Sequence, residues 1–192
     1  MVRQVVRDNR QDAILDAAQQ LIADLGVDAV SMAELAKSTG LSRPAIYQYF
    51  ASREHVLAEL VINEMADLSN AIDEKVAVFP DPMERVRIWI HYSLAHLASA
   101  EHRSIRQISI SSLPEESRGM LRAMHGHFMM ALVNPLTQLG VTDPTATCHL
   151  LYASVASAAE RIDAGNDFSR EAAALERFAI AGIEGALATP EE

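Results

Sequence analysis

A chain of 192 residues, 49% apolar and 22% charged, is long enough for one or two domains with a real hydrophobic core. Its net charge of −10 argues against indiscriminate nucleic-acid binding, and its single cysteine, Cys148, rules out an internal disulfide and suits a reducing, cytoplasmic setting. No apolar run approaches a membrane span, and Arg3, Arg7, Asp8 and Arg10 interrupt the opening residues where a secretory signal needs an apolar stretch.

The predicted elements are all helical. Ile14, Ala17, Ala18, Leu21, Ile22 and Leu25 recur at three–four spacing and predict a first helix over 9–25, stopped by Gly26. Ser31 with Glu34 three residues on is a capping-box pattern opening a second helix, which ends at Gly40. Ser42 caps a short third helix with Pro44 in its first turn, where a missing N–H costs no helical bond. Ser52 opens a longer fourth helix with Leu57, Leu60, Val61, Met65, Leu68 and Ile72 along one face. After Phe79-Pro80-Asp81-Pro82, further helices are predicted over about 82–99, 102–112, 114–139 and from Pro144 to about Ala164, with a ninth from about Ser169 to Ala188. Pro135 should kink or shorten the seventh. The fold class is all-α, with about nine helices.

Charge is distributed unevenly. Residues 1–54 hold six Lys/Arg and seven Asp/Glu, whereas 55–192 hold ten and nineteen. From Ser31 to Arg53 there are three basic residues and one acidic, so the opening quarter carries a locally basic stretch on an acidic chain. That stretch is also a helix-turn-helix candidate. Ser38-Thr39-Gly40-Leu41 supplies the turn, and Leu35, Ala36, Leu41, Ile46 and Phe50 supply a small apolar interface between the two helices. Such a motif enters the DNA major groove by the N-terminal end of its second helix. Arg43, Pro44, Ala45, Tyr47, Gln48 and Tyr49 then become the candidate DNA-facing residues, with Arg43 able to fork onto guanine and Ala45 to touch a thymine methyl. Tyr47, Tyr49 and Arg53 suit phosphates, the N–H groups behind Ser31 and Ser52 offer helix N-termini to them, and Met32 and Ser42 complete the candidate DNA-binding set. Arg3, Arg7 and Arg10 are either an arm that reaches DNA or a frayed terminus.

Residues 10–56 resemble the N-terminal domain of the TetR family of bacterial transcriptional regulators. The resemblance is carried by the first helix, by Gly26-Val27-Asp28-Ala29-Val30-Ser31-Met32, by Leu35-Ala36, by Thr39-Gly40-Leu41-Ser42 and, most densely, by Ile46-Tyr47-Gln48-Tyr49-Phe50-Ala51-Ser52-Arg53-Glu54. The family commonly has His where Gln48 stands, Lys where Arg53 stands and a small residue where Pro44 stands. The resemblance implies a helix-turn-helix DNA-binding domain over 1–54 and an effector-binding and dimerisation domain over 55–192. It further implies a homodimer that binds a double-stranded operator and is released by a small-molecule effector.

The remainder of the chain fits those roles in a general way. ASVASAA at 153–159 and the Ala/Gly-rich run at 179–186, with Leu175, Phe178 and Ile183, suit a dimer interface of two helices from each subunit. Met65, Trp89, Tyr92, His96, Met124, Phe128 and Tyr152 are candidates to line an apolar pocket for an apolar or amphipathic effector. Glu64 falls on the apolar face of the fourth helix, where it is paired, at a pocket rim or against a cationic ligand; the rim is the preferred reading.

Nothing in the sequence points to an enzyme, a metal or a cofactor. The seven His show no i, i+4 pair, and there is no Glu-x-x-His, no Gly-rich phosphate loop and no Gly-x-Ser-x-Gly. The expected function is therefore a ligand-responsive regulator, with repression the preferred role and activation left open by the sequence. The competing reading is a helical small-molecule binding or interaction protein without operator binding, against which Arg43, Tyr47 and Tyr49 argue.

Overall fold

The computed structural model describes residues 9–187, so Arg3 and Arg7, two of the three arm candidates, lie outside the described residues. The described residues form nine α-helices: α1 (Asn9–Leu25), α2 (Met32–Thr39), α3 (Arg43–Tyr49), α4 (Arg53–Val76), α5 (Pro82–Leu97), α6 (Ala100–Ile105), α7 (Glu115–Gln138), α8 (Pro144–Asp163) and α9 (Phe168–Gly185). Short 3-10 turns lie at Val27–Ala29 and Ile110–Ser112, and Val141 and Leu187 make an isolated antiparallel bridge. The all-α fold class is as the periodicity requires.

Helix ends follow the caps. Asp81, Asp143 and Asp167 each accept a backbone N–H of the first turn that follows, from Met83, Ala146 and Arg170 respectively. Two predicted elements differ. The helix expected over 102–112 is broken into α6 and a 3-10 turn, because this serine-rich stretch turns its hydroxyls onto its own backbone: Ser112 Oγ donates to the Ser109 carbonyl at 2.7 Å. Pro135 does not shorten α7, which runs on to Gln138. It lies in the last turn, so its missing N–H forfeits a single helical bond.

Packing divides the chain into two compact units. One closes at Glu64 and takes in Ala100–Leu121; the other comprises Met65–Ser99 and the chain from Arg122 onward. The 54/55 boundary read from the sequence falls inside the first unit. The first turns of α4 bury Val56, Leu57, Ala58, Leu60 and Val61 in the same core as Ile14, Ile22, Leu35, Ile46 and Phe50, and Ile105, Ile108, Leu113 and Leu121 complete it. The apolar face of α4 has no break at residue 54, so periodicity alone could not locate the division. Within this unit Glu64 is paired and does not stand at a rim: its Oε1 lies 2.5 Å from His102 Nδ1, with both side chains largely buried.

The second unit is built around Trp89, Leu94, Leu132, Leu136, Val155, Ala179 and Ile183, from α5, α7, α8 and α9. Between α8 and α9, Glu171 accepts from Arg161 Nε at 2.8 Å and from Asn166 Nδ2 at 2.7 Å.

Candidate nucleic-acid interface

The geometry of the α2–α3 pair follows from a few local bonds. Ser31 is extended, and its Oγ accepts the Glu34 N–H at 3.2 Å, which starts α2. At the other end Thr39 Oγ1 donates to the Leu35 carbonyl at 2.7 Å, and Gly40 turns the chain with φ 69°. That left-handed conformation is one a side chain with a Cβ adopts only at a cost. Ser42 Oγ then accepts the Ala45 N–H at 3.3 Å and starts α3. Ile46 and Phe50 are buried and hold α3 to the unit.

Fixing that face inward turns the other outward. Ser42, Arg43, Pro44 and Gln48 are exposed, Tyr47 is 54% exposed, and Ala45 is half-buried. Arg43 is exposed and has no hydrogen bond or ion pair to another described residue. Tyr49 and Met32 are half-buried and pack against the core, a larger structural share than a pure contact residue would have.

Arg53, expected at a phosphate, is committed inside the unit. Its Nε donates to the Val30 carbonyl at 2.7 Å and its Nη2 to the Val27 carbonyl at 2.8 Å. Carboxylates of Asp28 and Glu54 approach the same guanidinium at 3.9 and 3.7 Å. Neighbouring Ser52 places its hydroxyl 3.0 Å from His55 Nδ1. The Glu54 carboxyl is held below its ordinary range first by a backbone N–H at the start of α4, then by the Ser52 hydroxyl and by Arg53.

The candidate effector residues all fall in the second unit. Trp89, Phe128 and Tyr152 come together: ring centroids lie 4.9 Å apart for Trp89–Phe128 and 6.0 Å for Phe128–Tyr152. His125, which the sequence reading missed, joins them 5.6 Å from Tyr152, and burial, with His149 adding, lowers its pKa from the ordinary imidazole value. A His one turn before a buried aromatic on α7 was the available signal. Tyr92 stands against His91 instead, and Met124 lines an open cleft with Ala66, Ser69, Asn70, Ala123 and His127. Met65 and His96 are half-buried on α4 and α5. Of the residues expected at a dimer interface, Leu175 and Ile183 are core of their own unit, whereas Phe178 is 64% exposed. It shares a groove between α8 and α9 with Ala153, Ser157, Ala174 and Leu150, itself 69% exposed.

Residues 14–60 match the family model of bacterial regulatory proteins of the tetR family. That match takes in α2 and α3 whole, with most of α1 and the start of α4. Among curated relatives, the transcriptional regulator EthR of Mycolicibacterium smegmatis is 37% identical over 81 residues, which is 42% of this chain and 37% of that one. The chain thus matches well under half the length of such relatives, 41% in the case of a Mycobacterium tuberculosis regulator. Solved structures extend over nearly the whole chain. A TetR family protein of Vibrio parahaemolyticus is 26% identical, covers 94% of this chain and 100% of its own, and superposes with a TM-score of 0.73. The regulator FadR of Bacillus subtilis, solved in complex with stearoyl-CoA, is 18% identical with a TM-score of 0.74 over 89% of this chain and 98% of that one, and so shares the fold.

The tetR-family match begins at the first buried residue of α1 and ends in α4. It leaves out Ile105, Ile108, Leu113 and Leu121, which this chain uses to close the same core.

Proposed function

We propose that this chain is a ligand-responsive transcriptional repressor that binds a partly palindromic DNA operator as a homodimer and is released by a small-molecule effector. The observation that carries the reading is the outward face of α3. Arg43 makes no hydrogen bond or ion pair to another described residue there, beside exposed Ser42, Pro44, Tyr47 and Gln48, on a helix anchored by Ile46 and Phe50. In this reading Arg43, Pro44, Ala45 and Gln48 face base edges, while Ser31, Met32, Tyr47 and Tyr49 lie along the backbone. Each subunit sends its α3 into a successive major groove on one face of the duplex.

Dimerisation is assigned to α8 and α9, whose groove exposes Leu150 and Phe178, large apolar side chains that gain by leaving water. The effector is assigned to the second unit, near Trp89, Phe128 and Tyr152, with Met65 as an adaptable wall against the same core. An apolar or amphipathic molecule suits such a lining, and the Bacillus relative's complex with stearoyl-CoA is one example of that class.

Selection of bound duplexes from a random-sequence pool by the full chain tests the reading. An enriched inverted repeat is expected. Recovery of no preferred sequence would favour a helical small-molecule binding protein without an operator.

A further inference from the structure

We infer that Arg53 is a positioning residue for DNA binding, not a phosphate contact: it clamps the segment that precedes α2 onto the start of α4. This rests on the reading of the first unit as a DNA-binding domain. Sequence alone favours the phosphate role, because a basic residue at a helix start beside a reading helix has charge and reach. The geometry assigns its donors elsewhere.

The guanidinium spans two carbonyl oxygens, at Val30 (2.7 Å) and Val27 (2.8 Å), which are 23 and 26 residues away in sequence. These carbonyls bracket the 3-10 turn Val27–Ala29 and stop at the residue before Ser31, the cap of α2. A planar guanidinium satisfies both at once with fixed directions, which a flexible ammonium does not reproduce. The side chain is 29% exposed, and Asp28 and Glu54 stand within 4.0 Å of it, so its charge is already answered from two sides. A phosphate would have to displace short charged hydrogen bonds and approach past two carboxylates. What the clamp secures is the exit angle of Val30, fully buried, and with it the place of Ser31 and Met32 beside α3. Ser31 in turn is held to α2 by its bond from the Glu34 N–H.

The experiment measures affinity for the selected duplex across a salt series, with full-length Arg53→Gln, Arg53→Lys, Ser31→Ala and the Arg53→Gln/Ser31→Ala double variant. The clamp requires both Arg53 variants to bind about tenfold weaker, with the parental slope of log K on log salt. It also requires the double variant to lose less than the sum of the single losses, because both act through one segment. Parental affinity in Arg53→Lys would overturn it, as would a slope reduced by about two per dimer in Arg53→Gln, since each is the mark of a phosphate contact. Amide exchange on the DNA-free protein separates this from the proposed function. Faster exchange confined to Glu34 and Leu35 in Arg53→Gln supports the clamp even if no operator is found. Unchanged exchange there, or loss of protection throughout α1–α3, overturns it.

Discussion

The indole Nε1 of Trp89 donates to the backbone carbonyl of Phe128 at 3.2 Å, while the two rings lie 4.9 Å apart. One residue of α5 is thus tied to α7 twice, by a directional bond and by ring contact, at a position with no solvent exposure. Truncation removes both and opens a cavity. Trp89→Ala is expected to destabilise the chain by about 3–5 kcal/mol. Urea unfolding followed by circular dichroism checks this, since the sole tryptophan is lost. A loss below 1 kcal/mol would mean that this core is not packed as described.

Gly40 has φ 69°, and a Cβ built there would meet nothing within 4 Å. The cost of a side chain is therefore conformational and not steric crowding. Gly40→Ala is expected to lower stability by about 1–2 kcal/mol. It should weaken operator binding by a similar factor or more, because the same turn sets the angle of α3 to α2. Thermal melting and a binding titration on one preparation test the pair of effects.

Arg43 has no intramolecular partner among the described residues, so removing it should leave the fold intact. Arg43→Ala is expected to melt like the parent yet lose about 1–3 kcal/mol of discrimination at one base position in each half-site. Repeating the duplex selection with the variant reads this directly. An unchanged preferred sequence at unchanged affinity would remove Arg43 from the base-reading set.

Glu171 is largely buried and accepts from Asn166 and Arg161, and these bonds, Asn166's first, hold its folded-state pKa below the ordinary 4.5. A lowered folded pKa means the ionised form is favoured by folding. Its contribution is complete above the unfolded value and is lost as pH falls through the lower folded value. Glu171→Gln should therefore be less stable than the parent at pH 7. The gap should close progressively below pH 4.5, visible as converging urea midpoints. A gap that stays unchanged as pH falls well below 4.5 would assign the loss to packing in place of charge.

Much of this molecule was legible residue by residue. The caps at Ser31, Ser42 and Asp143, the stop at Gly26 and the turn at Gly40 are local chemistry, settled by side chains within four residues of the backbone groups they serve. The buried pair Ile46 and Phe50, four apart on a short helix, follows from helical period alone, and it determines that Arg43 and Tyr47 face outward. What the sequence could not decide depends on partners distant along the chain. Arg53 looked like a free cation until Val27 and Val30 were brought to it. Glu64 looked like a rim residue until His102, 38 positions away, reached its carboxylate. The 54/55 boundary moved because Leu57, Leu60 and Val61 share a core with Ile105 and Leu121, and an unbroken apolar face carries no mark of which core it enters. Local propensity determined the helices and their outward faces; only tertiary packing decided which polar groups were already spoken for.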